Sequence, residues 1–129
     1  MAAKRVFIAF DYDHDEDLRN LLAGQAKHSG TPFEICNWSV KEPFTGNWVE
    51  KVRQRIRQTE LTIVICGSST HTASGVATEL GITREEGHPY FLLWGRPDQA
   101  CTKPPNAGPG DTIYKWTWDN LTALIAGNR

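Results

Sequence analysis

Two stretches decide the fold: RVFIAFDYDH at residues 5–14 and LTIVICGSSTH at residues 61–71. Each is a short, almost wholly apolar run that breaks abruptly into polar residues. Strands of a parallel sheet covered by helices on both faces read as continuous hydrophobic runs of this kind. Ligands of such sheets bind beyond the carboxyl ends of the strands, where the strand order reverses. The polar bursts at residues 11–14 and 68–71 are therefore expected at one common rim, with Glu79 a few residues further on.

Working outward, strand-like and helix-like patterns alternate, which argues an α/β fold. Strands are predicted at residues 5–10, 33–37, 61–66, 90–94 and, at an edge, 112–115. Helices are predicted at residues 15–29, 47–58, 74–86 and 120–126. In the first helix Leu18, Leu21, Leu22 and Ala26 form one stripe, with Gly30 past its end. In the second, Trp48, Val49, Val52 and Ile56 share a face, and Asn47 is a candidate cap. Gly87 ends the third. Residues 95–111, rich in Pro and Gly, are too long for a plain connection and read as a surface loop beside the site or a partner contact. The right-handed crossover rule then favours a flavodoxin-like three-layer α/β/α fold with a five-stranded parallel sheet in order 2-1-3-4-5. Its switch point lies between the first and third strands.

The chain has 129 residues, which suits a single domain over 1–129 with one core. Fourteen basic against fifteen acidic residues leave a formal net charge of -1, no electrostatic case for nucleic acid. The basic run at residues 51–57 reads as the solvated face of a helix. The residues before the first strand show no leader pattern, so no signal peptide is expected, and no apolar stretch nears the roughly 20 residues of a membrane helix. Cys36, Cys66 and Cys101 show no CxxC spacing, so neither a disulfide framework nor a zinc site is indicated. No metal site is expected, and a reducing cytoplasm is the expected location.

A fold does not fix a function, so the site residues must decide. A phosphate-accepting receiver domain needs an acceptor aspartate after the third strand, where this chain has Cys66, Gly67 and Ser68. A flavin site needs a neutral phosphate cradle after the first strand, where residues 11–17 are acidic. The GxGxxG and Walker fingerprints and HExxH are absent.

The residues do resemble one family. VFIAFDYDHDED at residues 6–17 is similar to the "VFISFxYxxD" opening of the TIR-like family, flavodoxin-fold relatives of TIR domains. CGSSTH at residues 66–71 is similar to its apolar strand followed by a Ser/Thr-rich loop. SGVATE at residues 74–79 resembles the TIR segment in which serine, tryptophan and glutamate open a helix. The resemblance covers roughly residues 4 to 95. One position departs: Gly75 stands where TIR enzymes usually carry tryptophan, so a pocket wall is either missing or supplied elsewhere, by Trp38 or Trp94.

The family includes proteins of the Thoeris anti-phage system. Its TIR-type members cleave NAD between nicotinamide and ribose, and some cyclise the ADP-ribose into a signalling nucleotide. The resemblance thus implies an NAD glycohydrolase or ADP-ribosyl cyclase with NAD as substrate and no separate cofactor. It implies Glu79 as the catalytic carboxylate stabilising an oxocarbenium-like ribosyl centre. Without the resemblance, Glu79 reads as a surface glutamate favoured by the helix dipole. It further implies a homo-oligomer that completes the pocket, and a separate effector reached through the nucleotide messenger.

Other candidates gather at the same rim. Phe10 and Tyr12 could stack on a base, although core packing serves Phe10 equally well. Asp11 could accept ribose hydroxyls or cap the first helix. Ser68, Ser69, Thr70 and Ser74 offer hydroxyls near a helix N-terminus, a natural place for pyrophosphate, or ordinary cap chemistry. His71 could touch a phosphate or face solvent. Asn37, Trp38 and Ser39 follow the second strand, with Trp38 a lid or a packing anchor. Trp116 and Trp118 read as packing for the last helix. The competing reading is a non-catalytic TIR-like module that binds a nucleotide or a protein.

Overall fold

The computed structural model describes residues 4–27, 33–38, 48–108 and 110–127; for Tyr12, Asp13, Cys36, Asn37, Trp38 and Ser74 it describes the backbone alone. The elements run β1 (Lys4–Ala9), α1 (Tyr12–Ala26), β2 (Phe33–Trp38), α2 (Trp48–Arg57), β3 (Leu61–Cys66), a 3-10 turn (Thr70–Thr72), α3 (Ser74–Glu85), β4 (Tyr90–Trp94), β5 (Ile113–Lys115) and α4 (Trp118–Ile125). The five strands form one sheet in the order β2-β1-β3-β4-β5, parallel at every pairing. This is the order expected from the sequence.

Alternation along the strands splits the core into two layers. Val6, Ile8, Ile63, Ile65, Phe91 and Leu93 point to one face, where Leu18 and Leu22 of α1 and Leu121 and Leu124 of α4 cover them. Phe7, Ala9, Val64, Cys66 and Leu92 point to the other, under α2 and α3. Every residue of β3 is buried. A fully buried Ile or Leu side chain contributes about 1.5–3 kcal/mol relative to an exposed one, so β3 anchors both layers.

Local chemistry sets the helix ends. Thr117 accepts from the Asn120 N–H at 3.1 Å, so α4 starts at Trp118, two residues before the expected position. At the end of α3, Gly87 takes φ 71°, the Gly87 N–H reaches the Arg84 carbonyl, and the His88 N–H reaches that of Thr83. This is the Schellman pattern, and glycine supplies its left-handed residue.

The expected stripes need three corrections. Leu21 is 56% exposed and Val49 44% exposed. Leu18 and Leu22, and Trp48, Val52 and Ile56, form the i, i+4 rows that face the sheet, leaving Leu21 and Val49 on the flanks. Trp118 is exposed as well, whereas Trp116 packs on the core beside α4. The candidate cap Asn47 and the glycine Gly30 lie outside the described residues.

Residues 95–108, with 110 and 111, are anchored as a strap. Cys101 is buried in the core layer under α3, and the Thr102 N–H bonds the Gly67 carbonyl at 2.9 Å. Asn106 Nδ2 donates to the Ala77 carbonyl at 2.7 Å, and Arg84 Nη1 donates to the Asn106 carbonyl at 2.8 Å. The Tyr90 hydroxyl donates to Asp111 Oδ2 at 2.6 Å, which also accepts from the Gly108 N–H. The strap is thus tied to α3 and to both ends of β4.

An ionic network joins α2 to α3. Arg53 reaches Glu85 and Glu86 at 2.7 Å each, and Arg57 Nε reaches Glu86 at 2.7 Å. Hydrogen bonds from Arg57, then Arg53, hold the Glu86 carboxyl at about 2, against an ordinary 4.5. A depressed carboxyl adds stability above its unfolded value and loses it as pH falls through its folded one. Glu86→Gln is therefore expected to lower Tm near neutral pH, with the gap closing between about 4.5 and about 2. Thermal melts of both proteins across that window check this; a pH-independent gap would contradict it.

Candidate functional site

The carboxyl ends of β1 and β3 meet at the switch point, and α3 crosses both strands. On α3, Val76, Glu79, Leu80 and Thr83 fall at i, i+3, i+4 and i+7, the spacing of one face. All four are buried, Glu79 to 2% exposure. Glu79 thus lies on the sheet-facing stripe about one turn into α3, and it is not the surface glutamate of the plain helix-dipole reading. The Thr83 hydroxyl donates to the Glu79 carbonyl at 2.9 Å and exchanges a bond with Thr62 at 3.0 Å, stitching the helix to β3. The residue before α3, Ala73, supplies no side-chain cap. A Cβ added at Gly75 would meet nothing within 4 Å, so the space that a larger side chain would fill is open.

The loop after β1 is built around acidic side chains. Asp11 is buried; its Oδ2 lies 2.7 Å from His14 Nδ1, and its carbonyl accepts from the His14 and Asp15 N–H groups. Asp15 leaves the helical region at φ -122°, ψ 18°, which kinks α1 between a first turn and its main body. That kink explains why the helix begins at Tyr12 and not, as expected, at Asp15. It turns the Asp15 side chain inward against Gly67, where a Cβ would stand 2.5 Å from Oδ1 and closer still to Oδ2.

Arg96, just after β4, closes the cluster. Its guanidinium reaches Asp15 Oδ1 at 3.2 Å, both oxygens of Asp17 at 2.7 and 3.1 Å, and the His14 carbonyl at 2.8 Å. Burial pushes the Asp15 carboxyl up; Arg96 opposes this, and Asp11 and Asp17 add to it. The exposed Asp17 carboxyl is pulled down by its hydrogen bonds from the same arginine. Asp15 Oδ2 is buried with no hydrogen-bond partner.

The other expected residues land as follows. Phe10 is buried in the core among Leu18 and Leu22, its ring 5.9 Å from the Arg19 guanidinium. Thr70 is fully buried, and its hydroxyl accepts from the Gly67 N–H at 2.8 Å. Thr70 therefore shapes the turn and does not present its hydroxyl to a ligand. Ser68 and His71 are exposed, with His71 Nδ1 at 2.9 Å from the Thr102 hydroxyl. The backbones of Tyr12, Asn37, Trp38 and Ser74 lie at the ends of β1 and β2 and the start of α3, while Ser39 is outside the described residues. Asp15, Gly67, Arg96 and Thr102 were not expected at the site. Asp15 belongs to the quoted opening motif, but its partner lies in a segment whose prolines and glycines read as a loop.

A separate cavity of about 500 Å3 opens at the carboxyl ends of β4 and β5, between Leu21, Trp94 and Trp116. No residue of α3 lines it, so it is distinct from Glu79. Among the described residues no cluster of His, Cys, Asp and Glu could hold a metal ion, and no helix is long and apolar enough to cross a membrane.

This strand order, parallel at every pairing and covered by helices on both faces, defines a flavodoxin-like α/β domain. The fold is similar to the crystal structure of the TIR domain of the Toll-related receptor TRR-2 from the lower metazoan Hydra magnipapillata. The two share 17% identity and a TM-score of 0.58 over 95% of this chain and 92% of that one. The profile of the Thoeris protein ThsB, TIR-like domain, matches residues 7–99. The chain belongs to that family. No curated protein sequence matches it.

Gly67 is where the site is tightest. Gly67→Ala is expected to cost about 1–3 kcal/mol by overpacking the Asp15 carboxylate. In an Asp15→Ala background the same substitution should cost much less. Urea denaturation of the four proteins in this cycle reads the coupling; additive losses would contradict the contact.

Proposed function

We propose that this chain is a TIR-type enzyme that cleaves NAD at the nicotinamide–ribose bond, with Glu79 as the catalytic carboxylate. The observation that carries the reading is the burial of Glu79 on the sheet-facing stripe of α3, in a chain of the ThsB TIR-like family. Glutamate is almost never fully buried without a specific reason. A carboxylate held out of bulk water acts on a developing cation far more strongly than one in solvent.

In the proposed step the C1′–N1 bond breaks and its electron pair leaves with nicotinamide, which needs no proton. The cationic ribosyl centre is stabilised by Glu79. It is then captured by water, with loss of a proton, or by an atom of the same ADP-ribose to give a cyclic nucleotide. Asp11 lies at the carboxyl end of β1, and Ser68 and His71 follow β3; ribose hydroxyls and pyrophosphate are their natural partners. A second copy of the chain would complete the pocket, and the nucleotide product would act on a separate effector in anti-phage defence. The buried free thiols Cys66 and Cys101 suit a reducing cytoplasm; burial pushes the Cys66 thiol up to about 12, which keeps it unreactive.

A second reading is favoured by the same burial. With 2% of its surface exposed, Glu79 is closed to ligands in this conformation, as in a non-catalytic nucleotide- or protein-binding module.

Nucleotide chromatography after incubating NAD with wild type and Glu79→Gln, with and without infected-cell extract, separates the two. Nicotinamide release by wild type with at least about a 100-fold loss in Glu79→Gln is expected, on the scale of losing a central electrostatic group. Equal release from both would remove Glu79 from the chemistry. No release under any condition would favour the binding module.

A further inference from the structure

Three loops of the carboxyl-terminal rim converge on one buried carboxylate. Asp15 comes from the β1–α1 segment, lies against Gly67 at the end of β3, and pairs with Arg96 after β4. The backbone after β4 is organised around the same arginine. The Arg96 carbonyl accepts from Trp94 Nε1 at 2.9 Å, from the Gln99 N–H at 3.1 Å and from the Cys101 thiol at 3.6 Å. Gly67 in turn is held by Thr70 and Thr102, so the turn carrying Ser68 and His71 rests on this point.

The arrangement is a poor way to gain stability. One Asp15 oxygen is buried without a partner, and a half-satisfied buried charge is more costly than an apolar substitute. The charged and titratable groups acting on it are Arg96, Asp11 and Asp17, with the Cys66 thiol nearby on β3. Only Arg96 favours its ionised form.

We propose that Asp15 is a positioning residue of the candidate site: paired with Arg96, it clamps the loops after β1, β3 and β4 in the arrangement from which Ser68 and His71 act. The inference rests on the NAD-cleavage reading for its effect on rate. The clamp itself can be judged without it.

The test is Asp15→Asn, which keeps the size and removes the charge. Folded Asp15 holds its proton above the ordinary 3.8. Stability linked to it is therefore present below that value and lost as pH rises through the raised one. At neutral pH Asp15→Asn is expected to melt no lower than wild type. Its kcat for NAD should nevertheless fall, by up to about 100-fold for an ångström-scale misplacement, with KM changed little. Amide hydrogen exchange should quicken at residues 67–72 and 95–102 and stay unchanged at 61–65. If Asp15→Asn fails to fold, Arg96→Gln should reproduce the rate loss and the local exchange pattern, with a lower Tm because it leaves the Asp15 carboxylate buried without its cation.

A lower Tm with exchange raised throughout would make Asp15 merely structural and overturn the proposal, as would wild-type exchange and rate in Asp15→Asn. If wild type itself releases no nicotinamide, the NAD reading fails separately. The local exchange pattern then decides the clamp: quickening confined to the two segments supports it, and unchanged protection overturns it.

Discussion

The rest of the structure depends on the burial of β3. Its six residues are closed off on both faces by helices, and both edges are paired, to β1 and to β4. A strand enclosed in this way carries no polar side chain that must reach water, and its one hydroxyl, on Thr62, is paired with Thr83. The polar side chains of this segment therefore begin only where the strand ends. There Gly67 lets three loops approach closer than any side chain would permit.

Charge at that rim is governed by depth more than by pairing. Asp15 and Asp17 share the Arg96 guanidinium, yet their carboxyls shift in opposite directions. Asp17 is exposed, keeps its hydration and takes a two-oxygen fork from the arginine, so its ionised form gains. Asp15 has lost its water, receives one side of the guanidinium and faces two other aspartates, so its ionised form loses. The same comparison separates this cluster from the α2–α3 network. There Glu86 gains from two arginines at little desolvation cost, as suits a structural tie.

What was legible in the sequence was set by local pattern. The continuous apolar run of β3, the alternation of elements and the sheet order follow from periodicity and handedness, and Gly87 marks the end of α3 for a steric reason. Less legible was which of several apolar residues on a helix flank turns inward: Leu21 and Val49 satisfy a helical stripe as well as their buried neighbours do. The Asp15–Arg96 pair was not legible at all. Its members stand 81 positions apart, and nothing local distinguishes either from a solvated charge. The kink that delivers Asp15 to Gly67 is a tertiary effect, since an acidic run following a strand reads equally well as the first turn of a regular helix.

Glu79 shows how far placement constrains chemistry. A helix lying on a sheet has one inward row, and in α3 that row is Val76, Glu79, Leu80 and Thr83. Thr83 can be buried there because its hydroxyl finds the Glu79 carbonyl and Thr62. Glu79 brings a charged group to the same row, where leucine would add to the apolar layer of Val76 and Leu80. The general cost of a buried ionisable group thus falls on the helix that crosses the two strands bounding the switch point. Asp15 repeats the pattern on the β1 side of that point. Asp11, Asp15 and Glu79 are thus three buried carboxylates around the ends of β1 and β3, and the desolvation cost of ionisable groups is concentrated at this one point of the fold.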